Sequence, residues 1–179
     1  MVRKCARMRH ALALLLAAAI ICSCPLRSSA LTLTSPDVHN GGFLATVFTL
    51  NALGCAGENR APRLAWSGVP PKTKSFALTM IDPDAPKVGG FLHWIVFAIP
   101  PSARALVAAP QAPAVVRLND FGEPGYGGPC PPPGGQPHHY HLTLDALDID
   151  IAPATYEDYL QARRGHILAS AQLVFRYGR

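Results

Sequence analysis

What most limits this chain is where its prolines fall. They make up 18 of the 179 residues, about twice the usual share, and they sit between the apolar runs rather than inside them. Proline carries no amide hydrogen and breaks the interior of a helix or a central strand. The chain is therefore divided into short extended runs joined by Pro/Gly turns, the pattern of an all-β domain. Strands are expected at 31–34, 44–50, 64–66, Ser75–Asp82, Phe91–Ile99, 115–118, 139–146 and 171–177. In Ser75–Asp82, Phe76, Leu78 and Met80 alternate with Ala77, Thr79 and Ile81. Phe91–Ile99 is apolar at both parities, which predicts a central strand covered on both sides. One helix start stands at Thr155, with Glu157 and Asp158 in its first turn, and should run through Arg164 or on to Ser170. Residues 120–137 are too rich in glycine and proline to pack and read as a long surface loop, a kind usually functional or disordered.

Charge separates the N-terminus from the rest. The formal net charge is +5, yet Arg3, Lys4, Arg7, Arg9 and Arg27 precede residue 31 and every acidic residue follows it. The remainder is neutral, which argues against a nucleic-acid surface or a polybasic membrane patch. A basic start, an apolar run from Ala11 to Cys22 and small residues at Ser28-Ser29-Ala30 form a cleavable export leader over 1–30, with an apolar run too short to span a bilayer comfortably. The expectation is a domain over 31–179, periplasmic or secreted, with no integral membrane span after processing. Ile21-Cys22-Ser23-Cys24 offers an alternative, an imperfect lipoprotein-type site that would anchor the chain at Cys24. Cys55 and Cys130 remain after cleavage. They either close a disulfide in an oxidising compartment or stay as two buried thiols, and the sequence leaves both open.

Three polar clusters interrupt the apolar pattern: Asp82-Pro83-Asp84-Ala85-Pro86 at a strand end, His93 within an apolar strand, and His138-His139-Tyr140-His141 after the Pro/Gly loop. Strand parity puts His93 on one face with Phe91, Ile95, Phe97 and Ile99, and His138 and Tyr140 with Leu142 and Leu144. His139, His141, Thr143 and Asp145 fall on the other, solvated face. Inward polar groups need partners, because an unsatisfied one costs about 1–3 kcal/mol. Taken singly, His93 reads as a satisfied core residue and Asp82 as a turn cap. Together, a carboxylate, two imidazoles and a phenol beside a Gly/Pro loop suit a phosphate or carboxylate ligand, with Asp82 orienting a histidine or accepting a hydrogen bond from the ligand. Rival chemistries lack parts. His139 and His141 have no third metal ligand at a usual spacing, Trp66-Ser67-Gly68 lacks the flanking glycine of a nucleophile elbow, and no phosphate loop ends in Lys-Ser/Thr. No cofactor is implied.

At these residues the chain resembles the phosphatidylethanolamine-binding protein (PEBP) family, in its bacterial branch related to Raf kinase inhibitor protein. The stretches that carry the likeness are Gly57-Glu58-Asn59, Trp66-Ser67-Gly68-Val69-Pro70, Asp82-Pro83-Asp84-Ala85-Pro86, His93-Trp94, Gly125-Tyr126-Gly127-Gly128-Pro129-Cys130-Pro131-Pro132, His138-His139-Tyr140 and Arg176-Tyr177-Gly178-Arg179. The resemblance implies a mainly β fold of two antiparallel sheets with Greek-key connections and one or two short helices. It also implies a small non-catalytic anion pocket at Asp82, His93, His138 and Tyr140, with Phe91 as an aromatic wall and the Gly128–Pro132 loop, Gly128, Pro129 and Pro132 foremost, as its rim. Ala56, Ala61, Pro133 and His139 depart from the usual residues, and the last two remove positive charge from the rim. The chain stops at Arg179 without the C-terminal helix that borders the pocket in eukaryotic members, which implies a more open pocket or one closed by a partner subunit in a homodimer.

Three functions follow as expectations: an exported protein that binds a small phosphate-bearing or other anionic ligand and modulates a protein partner; a protease or kinase inhibitor acting through its surface; and a phosphoester-processing enzyme. The missing nucleophile favours the first.

Overall fold

The computed structural model describes residues 30–107 and 112–179. The leader expected over 1–30, with Cys5, Cys22 and Cys24, falls outside the described residues except for Ala30. The strands are β1 (Thr32–Thr34), β2 (Leu64–Ser67), β3 (Ser75–Asp82), β4 (Phe91–Ile99), β5 (Ala105–Leu106), β6 (Val115–Val116), β7 (His138–Leu147) and β8 (Ile167–Tyr177), with one helix, α1 (Tyr156–Ala162). They form two antiparallel sheets, a small one in the order β1-β2-β5 and a large one in the order β6-β4-β3-β7-β8. Strands β3, β4 and β6 follow one another across the large sheet, and the chain then returns to lay β7 beside β3. That is a Greek key, and its return is the Pro/Gly-rich connection.

The large sheet is buried on both faces. Phe76, Leu78, Met80, Trp94, Val96, Leu142 and Leu144 face the small sheet and pack with Leu33, Leu64 and Trp66. Ala77, Leu92, Ile95, Phe97 and Leu147 face the other way and are covered by Tyr159 of α1. Large side chains buried in this way stabilise by about 1.5–3 kcal/mol each. The helix begins as expected, with Thr155 Oγ1 accepting from the Asp158 amide at 3.1 Å. It stops well short of Ser170, because Gly165 adopts φ +78° and turns the chain into β8, which starts four residues before the expected strand.

Two further expectations are corrected. Residues 44–50 are not a strand: the amides of Phe48 and Thr49 turn back onto the carbonyls of Ala45 and Thr46, making a 3-10 turn over Thr46–Phe48. Asp145 is not solvated. It is buried, and its carboxylate accepts from Tyr159 Oη, Arg163 Nη1 and Ser170 Oγ at 2.5, 2.8 and 2.5 Å, because α1 lies over the face that His139 and Thr143 share with it.

Candidate functional site

Antiparallel pairing brings the end of β3 and the beginnings of β4 and β7 to one end of the large sheet. Asp82 pairs with Phe91, Ile81 with His141, and His138 with Tyr177. The Greek-key return passes over this end. Between them they enclose a cavity of about 100 Å³ lined by Asp82, Ala85, Pro86, Phe91, His93, Phe121, Cys130, Pro131, Pro132, His138 and Tyr140. A water molecule occupies about 30 Å³ of liquid, so the space suits a group of a few heavy atoms.

His93 reaches this cavity through an irregularity that strand parity missed. Met80 pairs with Trp94 while Ile81 pairs with Leu92, which leaves His93 as an extra residue in β4. The bulge turns the strand over. Phe91 and His93 face the cavity, whereas Ile95 and Phe97 pack on the opposite face beneath α1, not beside His93. A second irregularity between Phe76/Leu78, where Ala98 takes φ +49°, returns Ile99 to the inter-sheet core.

Asp82 and both imidazoles each have a defined partner. His138 Nδ1 donates to Asp82 Oδ2 at 2.7 Å. Asp82 Oδ1 accepts from the amides of Asp84 and Ala85 at 2.9 and 3.1 Å, the side-chain turn to which aspartate before proline is suited. His93 Nδ1 donates to the Gly127 carbonyl at 2.7 Å. Burial above all lowers the His93 pKa, against the opposing pull of Gly127 and Asp82, and keeps the ring neutral. Tyr140 is fully buried, and burial, reinforced by Asp82, holds its phenol far above the ordinary value, so it remains a donor. The rings of Phe91, Phe121 and Tyr140 surround His93 at centroid distances of 5.0, 5.5 and 5.2 Å. Among the described residues no Lys or Arg lines the cavity.

The rim is fastened from several parts of the chain. Cys55 and Cys130 form a disulfide, with Cα atoms 5.9 Å apart. Asn59 donates to the Tyr126 carbonyl at 3.1 Å and accepts from the Gly128 amide at 2.7 Å. Arg179 donates to the carbonyls of Pro131 and Gly54, both at 2.7 Å. Among the predicted residues, Asp82, Phe91, His93, Pro132, His138 and Tyr140 line the cavity, while Gly128 and Pro129 do not. Gly128 is there for close approach: a Cβ on it would lie 2.5 Å from the Thr49 carbonyl carbon and the Leu50 nitrogen. Cys130 and Pro131 lie in the Gly128–Pro132 loop expected as the rim, and sequence reasoning missed Ala85, Pro86 and Phe121. Phe121, a large aromatic inside a Gly/Pro segment, was the one with a readable signal. His139 sits outside the cavity, donating from its backbone amide and Nδ1 to Asp84 at 2.7 and 2.8 Å.

Residues 34–178 match the profile of the family described as phosphatidylethanolamine-binding protein. The UPF0098 protein YbcL of Escherichia coli K12 is 42% identical over 135 residues, covering 71% of this chain and 74% of its own. A UPF0098 protein of Methanothermobacter thermautotrophicus is 46% identical over 135 residues, 70% of this chain and 87% of its own. The crystal structure of E. coli YbcL, described as a new member of the mammalian PEBP family, superposes with a TM-score of 0.80 at 35% identity, over 84% of this chain and 99% of that one. A PEBP homologue from Chlamydia trachomatis gives 0.73 at 35% identity, over 84% and 98%. With this profile spanning nearly the whole described chain, and with relatives this similar, the chain belongs to the phosphatidylethanolamine-binding protein family.

Proposed function

We propose that the cavity binds a small phosphate-bearing or other anionic group without transforming it. The observation that carries this reading is the convergence of Tyr140, His138 and Asp82, remote in sequence, on one small cavity that opens at a sheet end. Tyr140 supplies a phenol that keeps its proton, and His138 supplies a second donor when its ring is charged. Asp82 fixes the His138 ring. The family's name points to the same class, a phosphorylated head group. A binding role is favoured over phosphoester chemistry because the cavity lining offers no Ser or Thr, and its one cysteine is tied in the disulfide. Of the hydroxyl and thiol nucleophiles that leaves the Tyr140 phenol, which burial keeps protonated, and the Asp82 carboxylate and His138 ring are hydrogen-bonded to each other. With no Lys or Arg in the lining, affinity for a simple anion is modest. Export to the periplasm or beyond, a protein partner and pairing with a second copy belong to the same proposal. Export rests on the leader-like residues 1–30.

Titration of the 31–179 protein with inorganic phosphate and phosphoethanolamine, followed by NMR of the histidine side chains, tests the binding. Saturable shifts at His93 and His138 that vanish in Asp82→Ala are expected. Unmoved signals with both ligands, or release of phosphate from phosphoethanolamine, would overturn it.

A further inference from the structure

We propose that the cavity distinguishes tetrahedral dianions by a single proton, accepting hydrogen phosphate and rejecting sulfate, because His93 meets the ligand with a lone pair instead of an N–H. This rests on the anion-binding reading above and sharpens it.

The argument begins at Gly127. A carbonyl oxygen only accepts, so His93 Nδ1, 2.7 Å away, must carry the hydrogen. A neutral imidazole has one N–H. The remaining nitrogen, Nε2, therefore has a bare lone pair; it has no protein partner, and the ring is part of the cavity wall. The ring is 3% exposed and boxed by Phe91, Phe121 and Tyr140, surroundings that resist a second proton. The charged and titratable groups facing it are Asp82 from β3, His138 and Tyr140 from β7 and Asp120 from the loop. The two carboxylates favour protonation and His138 opposes it, but burial outweighs all three.

The other acceptor in the cavity is Asp82: one oxygen takes two turn amides, and the other takes His138 and faces the Tyr140 phenol. The Asp82 carboxylate and the His93 lone pair both ask for a donor. A ligand must therefore donate a hydrogen of its own as well as accept through its other oxygens. A neutral His138 would add another lone pair and strengthen that demand. Hydrogen phosphate can do both. Sulfate has the same shape and charge at pH 8 but no proton, so it would set oxygen lone pairs against Nε2 or force a proton onto a buried ring. Sites that oblige a ligand to hydrogen-bond reject the analogue lacking that hydrogen far more strongly than apolar sites reject a shape change.

The test is calorimetric titration of the 31–179 protein with phosphate and with sulfate at pH 8 and matched ionic strength. Phosphate is expected to bind at least tenfold more tightly. Equal affinities, or tighter sulfate, would overturn the discrimination while leaving anion binding in place. Binding of neither would overturn the anion-binding reading and this proposal with it. In His93→Asn the shorter amide keeps a donor for Gly127, and its carbonyl oxygen stops short of the place Nε2 occupies, so the phosphate/sulfate ratio should fall below about threefold. An unchanged ratio in the folded variant would overturn the role of His93, and if the variant does not fold, the comparison on the unmodified protein decides alone.

Discussion

His138 and Asp82 are 56 residues apart in the chain, yet their side chains meet at 2.7 Å. The contact joins the end of β3 to the beginning of β7. It forms only after the Greek key has closed, so it reports on the assembled sheet and not on any local turn.

Replacing Asp82 by alanine should therefore do two things. It removes three hydrogen bonds at a buried carboxylate and should lower stability by about 2–3 kcal/mol. Asp82→Asn can retain the turn bonds and should cost less. Urea unfolding of the two variants checks the order; equal losses would mean that the His138 contact, which both variants lose, and not the turn, carries the stability.

Gly128→Ala should loosen the rim without touching a lining residue. The new Cβ would meet backbone atoms of Thr49 and Leu50 at 2.5 Å, and backbone cannot rotate away. A loss of about 1–3 kcal/mol is expected from overpacking. The His93 NMR signals should shift as well, because Gly127 holds its ring. Unfolding curves and a histidine spectrum decide it.

Asp145 offers a control on the opposite face. Its carboxylate is buried among Tyr159, Arg163 and Ser170, and Asp145→Ala strands the Arg163 guanidinium. Removing one member of a buried pair costs about 3–5 kcal/mol. Arg163 is partly exposed, so the lower end is expected. Phosphate affinity in the folded fraction should change by less than about twofold, as calorimetry below the melting temperature would show.

Acid should reveal His93. Burial places its folded pKa below the ordinary 6.5, so as pH falls through that value the unfolded chain gains a proton that the native ring resists. Stability then declines with falling pH until the folded value is reached. Chemical unfolding between pH 8 and 5 should give a flatter profile for His93→Asn than for the unmodified protein.

The fold was legible where a pattern repeats over many residues. Ser75–Asp82 and Phe91–Ile99 have their expected bounds because long runs dominated by apolar residues and closed by turn residues admit few alternatives. Residues 44–50 are as apolar as a strand, but their amides and carbonyls bond locally and to the rim loop, a long-range circumstance no short window contains. The face of Ile95 and Phe97 was misread for a related reason. Parity assumes a regular ladder, and the extra residue at His93 is visible only against β3. The residues gathered at the cavity were identifiable as a set of inward polar groups, and their assignment to one site came from the family likeness. Ala85 and Pro86 were not identifiable as lining residues, because lining a cavity from a loop leaves no periodic trace.

The bulge at His93 has a design implication. One surplus amino acid in β4 turns the imidazole toward the sheet end while its downstream neighbours seal the underside against the helix. A shortened chain lacking that surplus would gain a tidier ladder and lose its chamber. Engineers transplanting this scaffold should treat the defect as the part to keep.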